Sequence, residues 1–443
     1  MKLPKTLFKI GVVLLIVVAA VLVVRAVFNY VEGRKLTRTL AELKDGGLPL
    51  TARDLAVPCP DEDNAARLWK AAESLLTTEE GKGRQTISGA FGRYAGGTPI
   101  EASSRASLQD LAVQNSRALE LMAEAGAKPC FLLRGPSTPL IESIIPSAIK
   151  MIHATQLLGF SSLFMAEDGN VPGAIDRIRP GLRFAPLLAG EGTLMTYLIA
   201  VADTRMLTLF LGDICRGRDI DDDTLVRLIG ELDPAPWRER LARSISGERI
   251  LALERGSAII KGGSRVMAGE RLSNRLLYWL LRPILKDEVR YRQKKLVAWE
   301  RIAREPYFQQ RELLKTDPAF SESVPWYFKL TGFWEGDAYG TVFLKSAQLE
   351  ASLLAARTGI ACKVFKSRTG AYPESLEALV PGILKVVPVD PFTGKPFVYR
   401  REGKGFIVYS LGSNEKDDGG RSTYMITQMV MEKDDDWAWK EDR

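Results

Sequence analysis

Few side chains in this 443-residue sequence have the types and spacing that chemistry requires. There is one histidine, His153, so a Ser/His/Asp triad would have to use it and a multi-histidine metal site is excluded. It lies in an apolar run between Ile152 and Leu157 with no Gly-x-Ser-x-Gly nearby, and reads as a packed structural residue. The four cysteines (Cys59, Cys130, Cys215, Cys362) are too scattered for a zinc knuckle or a disulfide scaffold, and no pair stands out. Glu167-Asp168 and Asp221-Asp222-Asp223 offer the paired carboxylates that a hydrolase uses. Acids adjacent in sequence more often sit in turns and helix starts, where the macrodipole favours negative charge. Gly81 to Ser104 is rich in glycine, yet no apolar strand precedes it and no Gly-Lys-Ser/Thr follows. It reads as a surface loop, not a phosphate cradle.

The elements that must position these groups are mostly helices. Apolar residues make up 46% and charged residues 26%, which excludes a wholly disordered or fibrous chain. A net charge of +7 is too small for this length to mark a nucleic-acid footprint, and no nucleic-acid partner is expected. After a short tail, residues 1–6, the segment 7–29 predicts a transmembrane helix. Ile10 to Val24 is uncharged, and Lys9 and Arg25 flank it. No small-x-small site follows Val23-Val24-Arg25, so the segment reads as an uncleaved anchor and not a signal peptide. Lys2, Lys5 and Lys9 precede the span, while Arg25, Arg34, Lys35, Arg38 and Lys44 follow it, so charge alone leaves the orientation open.

Residues 30–345 predict a mainly α ectodomain of helical hairpins, with a solenoid-like stack as one possible arrangement. Ala65, Leu68, Trp69, Ala72 and Leu75 share one face; Leu108, Leu111, Leu119, Met122 and Ala125 predict another helix. Pro180 and Pro234 are expected between helices. Ala166 to Asn170 predicts a tight acidic turn between two helices. Leu276 to Leu281 followed by Arg282, Pro283 and a basic run predicts a core helix and then a solvated charged one, with local pairs such as Glu300 and Arg304. The other reading of that stretch is a basic amphipathic element lying on anionic lipid beside the anchor.

Residues 346–443 predict a small α+β domain. Leu349, Leu353, Ala356, Ile360 and Val364 form one helix face, and Gly370 is placed to end that helix. Phe397–Arg400 and Phe406–Leu411 predict a hairpin joined by Arg401-Glu402-Gly403-Lys404-Gly405. The ordered series Gly370-Ala371-Tyr372-Pro373, Val387-Pro388-Val389-Asp390-Pro391, Gly394-Lys395-Pro396, Tyr399 and Tyr409-Ser410-Leu411-Gly412 resembles the globular domain of the type II secretion major pseudopilin.

That resemblance implies a long helix packed on a small sheet, and a calcium loop at Leu411 (through its carbonyl), Asn414, Asp417, Asp418, Asp434, Asp435 and Asp436. It also implies a periplasmic C-terminal domain on a single-pass protein of the cytoplasmic (inner) membrane. The N-terminus departs from the family, since Leu7-Phe8-Lys9-Ile10-Gly11 lacks the glutamate of a pilin start and some 300 residues separate the anchor from the module. Pro58 to Ala66 is similar to the lead-in of the first soluble helix in large bacterial membrane proteins carrying this module. The expected function is a non-catalytic binding or scaffold protein, held in the lipid bilayer by residues 7–29 and meeting protein partners at the cell envelope. The alternatives are a divergent component of a type II secretion or pilus-like system, and a carboxylate-dependent hydrolase.

Overall fold

The computed structural model describes residues 5–77, 82–133, 147–260, 272–321, 323–330, 339–421 and 437–441. The first helix, α1 (Lys5–Asp45), is one unbroken rod of 41 residues. Among the described residues two helices are long and apolar enough to cross a membrane, α1 and a later one at Leu194–Cys215. The apolar window of the later helix is 67% buried inside the protein, and that of α1 is not buried at all.

A short helix, α2 (Ala52–Leu55), starts at a Thr51–Asp54 capping box, and α3 (Ala65–Leu75) starts at Asn64, whose side chain accepts from the Ala66 amide. Trp69 and Ala72 of α3 are fully buried as their spacing requires, while Leu75 remains exposed. Most of the glycine-rich stretch is helical, and among its described residues only 96–101 form a connection. The stretch forms α4 (Lys82–Ala95) and the start of α5 (Ala102–Gln114). Ile87, Ala90 and Phe91 lie on one face of α4 and are buried, so the packing they gain outweighs the roughly 1 kcal/mol that each helical glycine costs. The predicted Leu108–Ala125 helix is broken at Asn115, and its second half is α6 (Ser116–Ala125).

The central layer comprises α7 (Ser147–Glu167), α8 (Val171–Leu188) and α9 (Leu194–Cys215), packed against one another. The acidic turn between α7 and α8 forms as expected, with Gly169 in the left-handed region and Asn170 capping α8. Pro180 does not divide two helices. It lies inside α8, as does Pro186, and burial of Ile178, Leu182, Phe184 and Ala185 around them holds the helix through both breaks. Asp221 caps α10 (Asp222–Glu231), and α11 (Ala235–Ile260) then pairs with the long α12 (Leu272–Ile302), which runs straight through Pro283. Two short helices, α13 (Tyr307–Thr316) and α14 (Pro318–Ser321), and a 3-10 turn at Trp326–Leu330 cover α12.

Helix α15 (Tyr339–Thr369) buries the predicted stripe Leu349, Leu353, Ala356, Ile360 and Val364 and ends at Gly370, which has φ +85°. The residue 345/346 division falls inside this helix. Strands β1 (Val398–Glu402) and β2 (Gly405–Ser410) form the expected hairpin, and a third strand, β3 (Trp437–Glu441), adds antiparallel to β2. Trp439 of β3 packs so closely on α15 that a Cβ at Gly359 would lie 2.3 Å from its ring. One continuous hydrophobic core runs from Ala65 to Trp439, joining α3 to the sheet.

Candidate functional site

The residues with catalytic potential are engaged elsewhere in the fold. Arg105 holds both Glu167 and Asp168, the latter at 2.7 Å. Asp221 accepts from the Thr224 amide at 2.8 Å, and Arg368 holds Asp222 at 2.8 Å. His153 is buried on α7 with Nε2 3.3 Å from the Ser88 hydroxyl. One carboxyl that sequence reasoning passed over, Asp203 on α9, is fully buried, and burial pushes its pKa up to about 8 while Thr155 pulls the other way. The rise is therefore a consequence of burial and not of a neighbouring carboxylate.

In the C-terminal module the organising residue is Asp390, which is 2% exposed. Its Oδ1 accepts from the Phe392 amide at 2.9 Å and the Ser410 hydroxyl at 2.8 Å, and its Oδ2 accepts from the Leu411 amide at 2.9 Å. Both carboxylate oxygens therefore tie the Pro-x-Asp-Pro loop to the end of β2. That explains why a carboxylate, with four acceptor sites and no donor, stands there.

The described part of the expected calcium loop divides into two groups. Asp417 accepts from the Tyr409 hydroxyl at 2.8 Å and the Gly419 amide at 2.9 Å, and these two bonds hold its carboxyl below the usual range. The Asn414 side-chain amide donates to Asp418 at 2.9 Å, while its oxygen accepts from the Lys416 amide. Leu411 is joined to Asp390 through its amide. Asp434, Asp435 and Asp436 lie outside the described residues. Among the described residues no three His, Cys, Asp or Glu side chains converge on a point that could hold a metal ion. Calcium needs six to eight oxygens, so Asn414, Asp417 and Asp418 do not make a cage by themselves.

Two cysteines that showed no pairing in sequence form a disulfide, Cys59–Cys130, with 5.9 Å between the Cα atoms. It closes the lead-in to α3. Asn64 reinforces it by donating to the Leu132 carbonyl at 2.8 Å and accepting the Leu132 amide at 2.9 Å. With a separation of 71 positions, nothing local could reveal the pair. Cys215 and Cys362 are free and buried, and burial pushes the Cys215 thiol up to about 12.

The least self-satisfied surface lies where α1 meets α12. Lys286 donates to the Asn29 carbonyl at 3.1 Å, and Arg290 lies 3.8 Å from Glu32, which is buried and also holds Lys35 at 2.8 Å. One turn below, the Arg25 guanidinium stacks 3.5 Å from the centre of the Trp279 ring and donates to the Trp279 carbonyl. The first turns of α12 thus do not form a core helix. Leu277, Trp279 and Leu280 are exposed there, and the basic stretch that follows is partly buried against α1 and α11. Further along, the expected Glu300–Arg304 pair is present at 3.6 Å, and Arg304 also holds Glu239 at 2.9 Å. Comparisons with protein-family models, with curated proteins and with solved structures return no match.

Proposed function

We propose that this protein is a binding or scaffold protein anchored by residues 7–29 in the cytoplasmic membrane, with its helical body and a pseudopilin-like C-terminal module facing the periplasm. The observation that carries this reading is the single helix α1. It is apolar and uncovered from Ile10 to Val24, then docked into the body from Glu32 onward. Twenty-three residues at 1.5 Å each span about 34 Å, enough for a bilayer core of about 30 Å. The disulfide supports the outward orientation, because such bonds persist in oxidising compartments. A long helix on a three-stranded antiparallel sheet, with Asp390 fastening the Pro-x-Asp-Pro loop, supports the pseudopilin-like reading of the module. The acid pairs that would have served a hydrolase are held in ion pairs and caps, which favours binding over catalysis.

Alkaline phosphatase fused after Arg443 tests the orientation. Activity of the fusion, together with Cys59 and Cys130 that resist alkylation until a reductant is added, is the expected result. An inactive fusion with both thiols freely alkylated in cells would place the body in the cytoplasm and overturn the reading.

A further inference from the structure

The register between α1 and α12 gives the depth of each residue. Arg25 meets Trp279, Asn29 meets Lys286 and Glu32 meets Arg290, so residue numbers rise together and the two helices are parallel. The start of α12 therefore points toward the membrane, level with the last turns of the span. Leu277 and Leu280 are 49% and 40% exposed at that level, beside the equally uncovered Val24 and Val27. Water would surround an apolar patch that a soluble body would bury, whereas acyl chains need no such burial.

The charges at the same level point to what lies above that patch. Arg25 lies over Trp279, Arg282 and Lys286 follow Trp279 at spacings of three and four on the same side of α12, and Lys286 donates to the Asn29 carbonyl one turn further along α1, so the three cations share one stretch of the junction. Desolvation, and after it the two arginines, lower the Lys286 ammonium pKa. Among the described residues no carboxylate pairs with any of the three. A groove beside them, lined by Asn29, Tyr30, Gly33, Arg34 and Lys286, runs up α1. Two exposed aromatics stand near this level. Tyr30 is 63% exposed, and Trp326, 73% exposed, adjoins Tyr327, whose hydroxyl donates to Asp287 at 2.9 Å. Tyr and Trp near one level, with cations that no described carboxylate pairs beside an apolar patch, match the layering of a membrane–water interface.

We propose that the α1–α12 junction is a binding site for an anionic phospholipid, whose phosphodiester sits among Arg25, Arg282 and Lys286 while its acyl chains cover Leu277, Trp279 and Leu280. This rests on the anchored reading of α1, and it adds a second, headgroup-selective contact to what would otherwise be a bare span.

The test uses the full chain in nanodiscs containing phosphatidylglycerol and phosphatidylcholine. Bromine on the acyl chains of phosphatidylglycerol should quench a share of the tryptophan fluorescence that disappears in Trp279→Phe, and the same label on phosphatidylcholine should quench it less. The Arg282→Gln/Lys286→Gln variant should lose at least tenfold of the preference for phosphatidylglycerol, with its melting temperature unchanged. Equal quenching by both lipids, or a double variant that keeps its preference, would overturn the site. Carbonate extraction separates the two readings. A chain that stays in the membrane yet shows no lipid preference defeats only this inference, and a chain released by carbonate defeats the anchor as well.

Discussion

The sheet end of this protein and the junction of α1 with α12 treat charge in opposite ways. At the sheet end, Lys363 on α15 and Glu441 on β3 are 8% and 4% exposed at the side chain and meet at 2.7 Å, and Glu441 also accepts the Gly217 amide at 2.8 Å. At the α1–α12 junction, Arg25, Arg282 and Lys286 have no acid paired with them among the described residues and stand near leucines left uncovered. The first arrangement is complete within the chain. The second, on the lipid-bound reading proposed above, is completed by a headgroup. A surface left incomplete among the described residues thus carries information that a complete one does not.

The largest effect is expected at the sheet end. Glu441→Ala strands the Lys363 ammonium in the core and should cost about 3–5 kcal/mol, read as a lowered denaturation midpoint of the full chain in detergent. A loss below about 1 kcal/mol would show that the pair is already wet and would erase the contrast. Asp390→Ala should follow at about 3 kcal/mol, because it leaves the Phe392 and Leu411 amides and the Ser410 hydroxyl without their acceptor.

Between the two ends, Asp203 gives a pH signature. From an ordinary 3.8 to about 8, the folded chain keeps a proton that the unfolded chain releases. Stability should therefore fall as pH rises through that window, by up to about 1.4 kcal/mol per pH unit, and Asp203→Asn should flatten the slope. Parallel melting curves of the two proteins from pH 5 to pH 8 would contradict it. The smallest effect is expected at the α1–α12 junction, where Arg282→Gln/Lys286→Gln should change stability in detergent by less than about 0.5 kcal/mol. A large destabilisation there would mean that these cations serve the fold.

Local rules made much of this architecture readable. The period of the α15 stripe, Gly370 as its stop, the glycines of the β1–β2 turn and the cap at Asp221 each depend on residues a few positions apart. What escaped depends on distant partners. α4 forms despite its glycines because Phe91 reaches Phe160 and Phe210 on helices of the central layer. α8 carries two prolines because its neighbours hold it, Cys59 finds Cys130 across 71 residues, and β3 shows only a Trp-Ala-Trp alternation that β2 must complete. The candidate site divided in the same way. Asp390 was legible as a motif residue, while the Arg25–Trp279 contact spans 254 positions and left no local trace.

The unbroken course of α1 has a mechanical consequence. A body tethered by a flexible linker sweeps a volume and searches for its partners. On the anchored reading proposed above, the rod in the lipid would be the same rod on which Glu32 meets Arg290, so the body would lean wherever the rod leans and could not reach away from it. Its partners would then have to be presented at a set height.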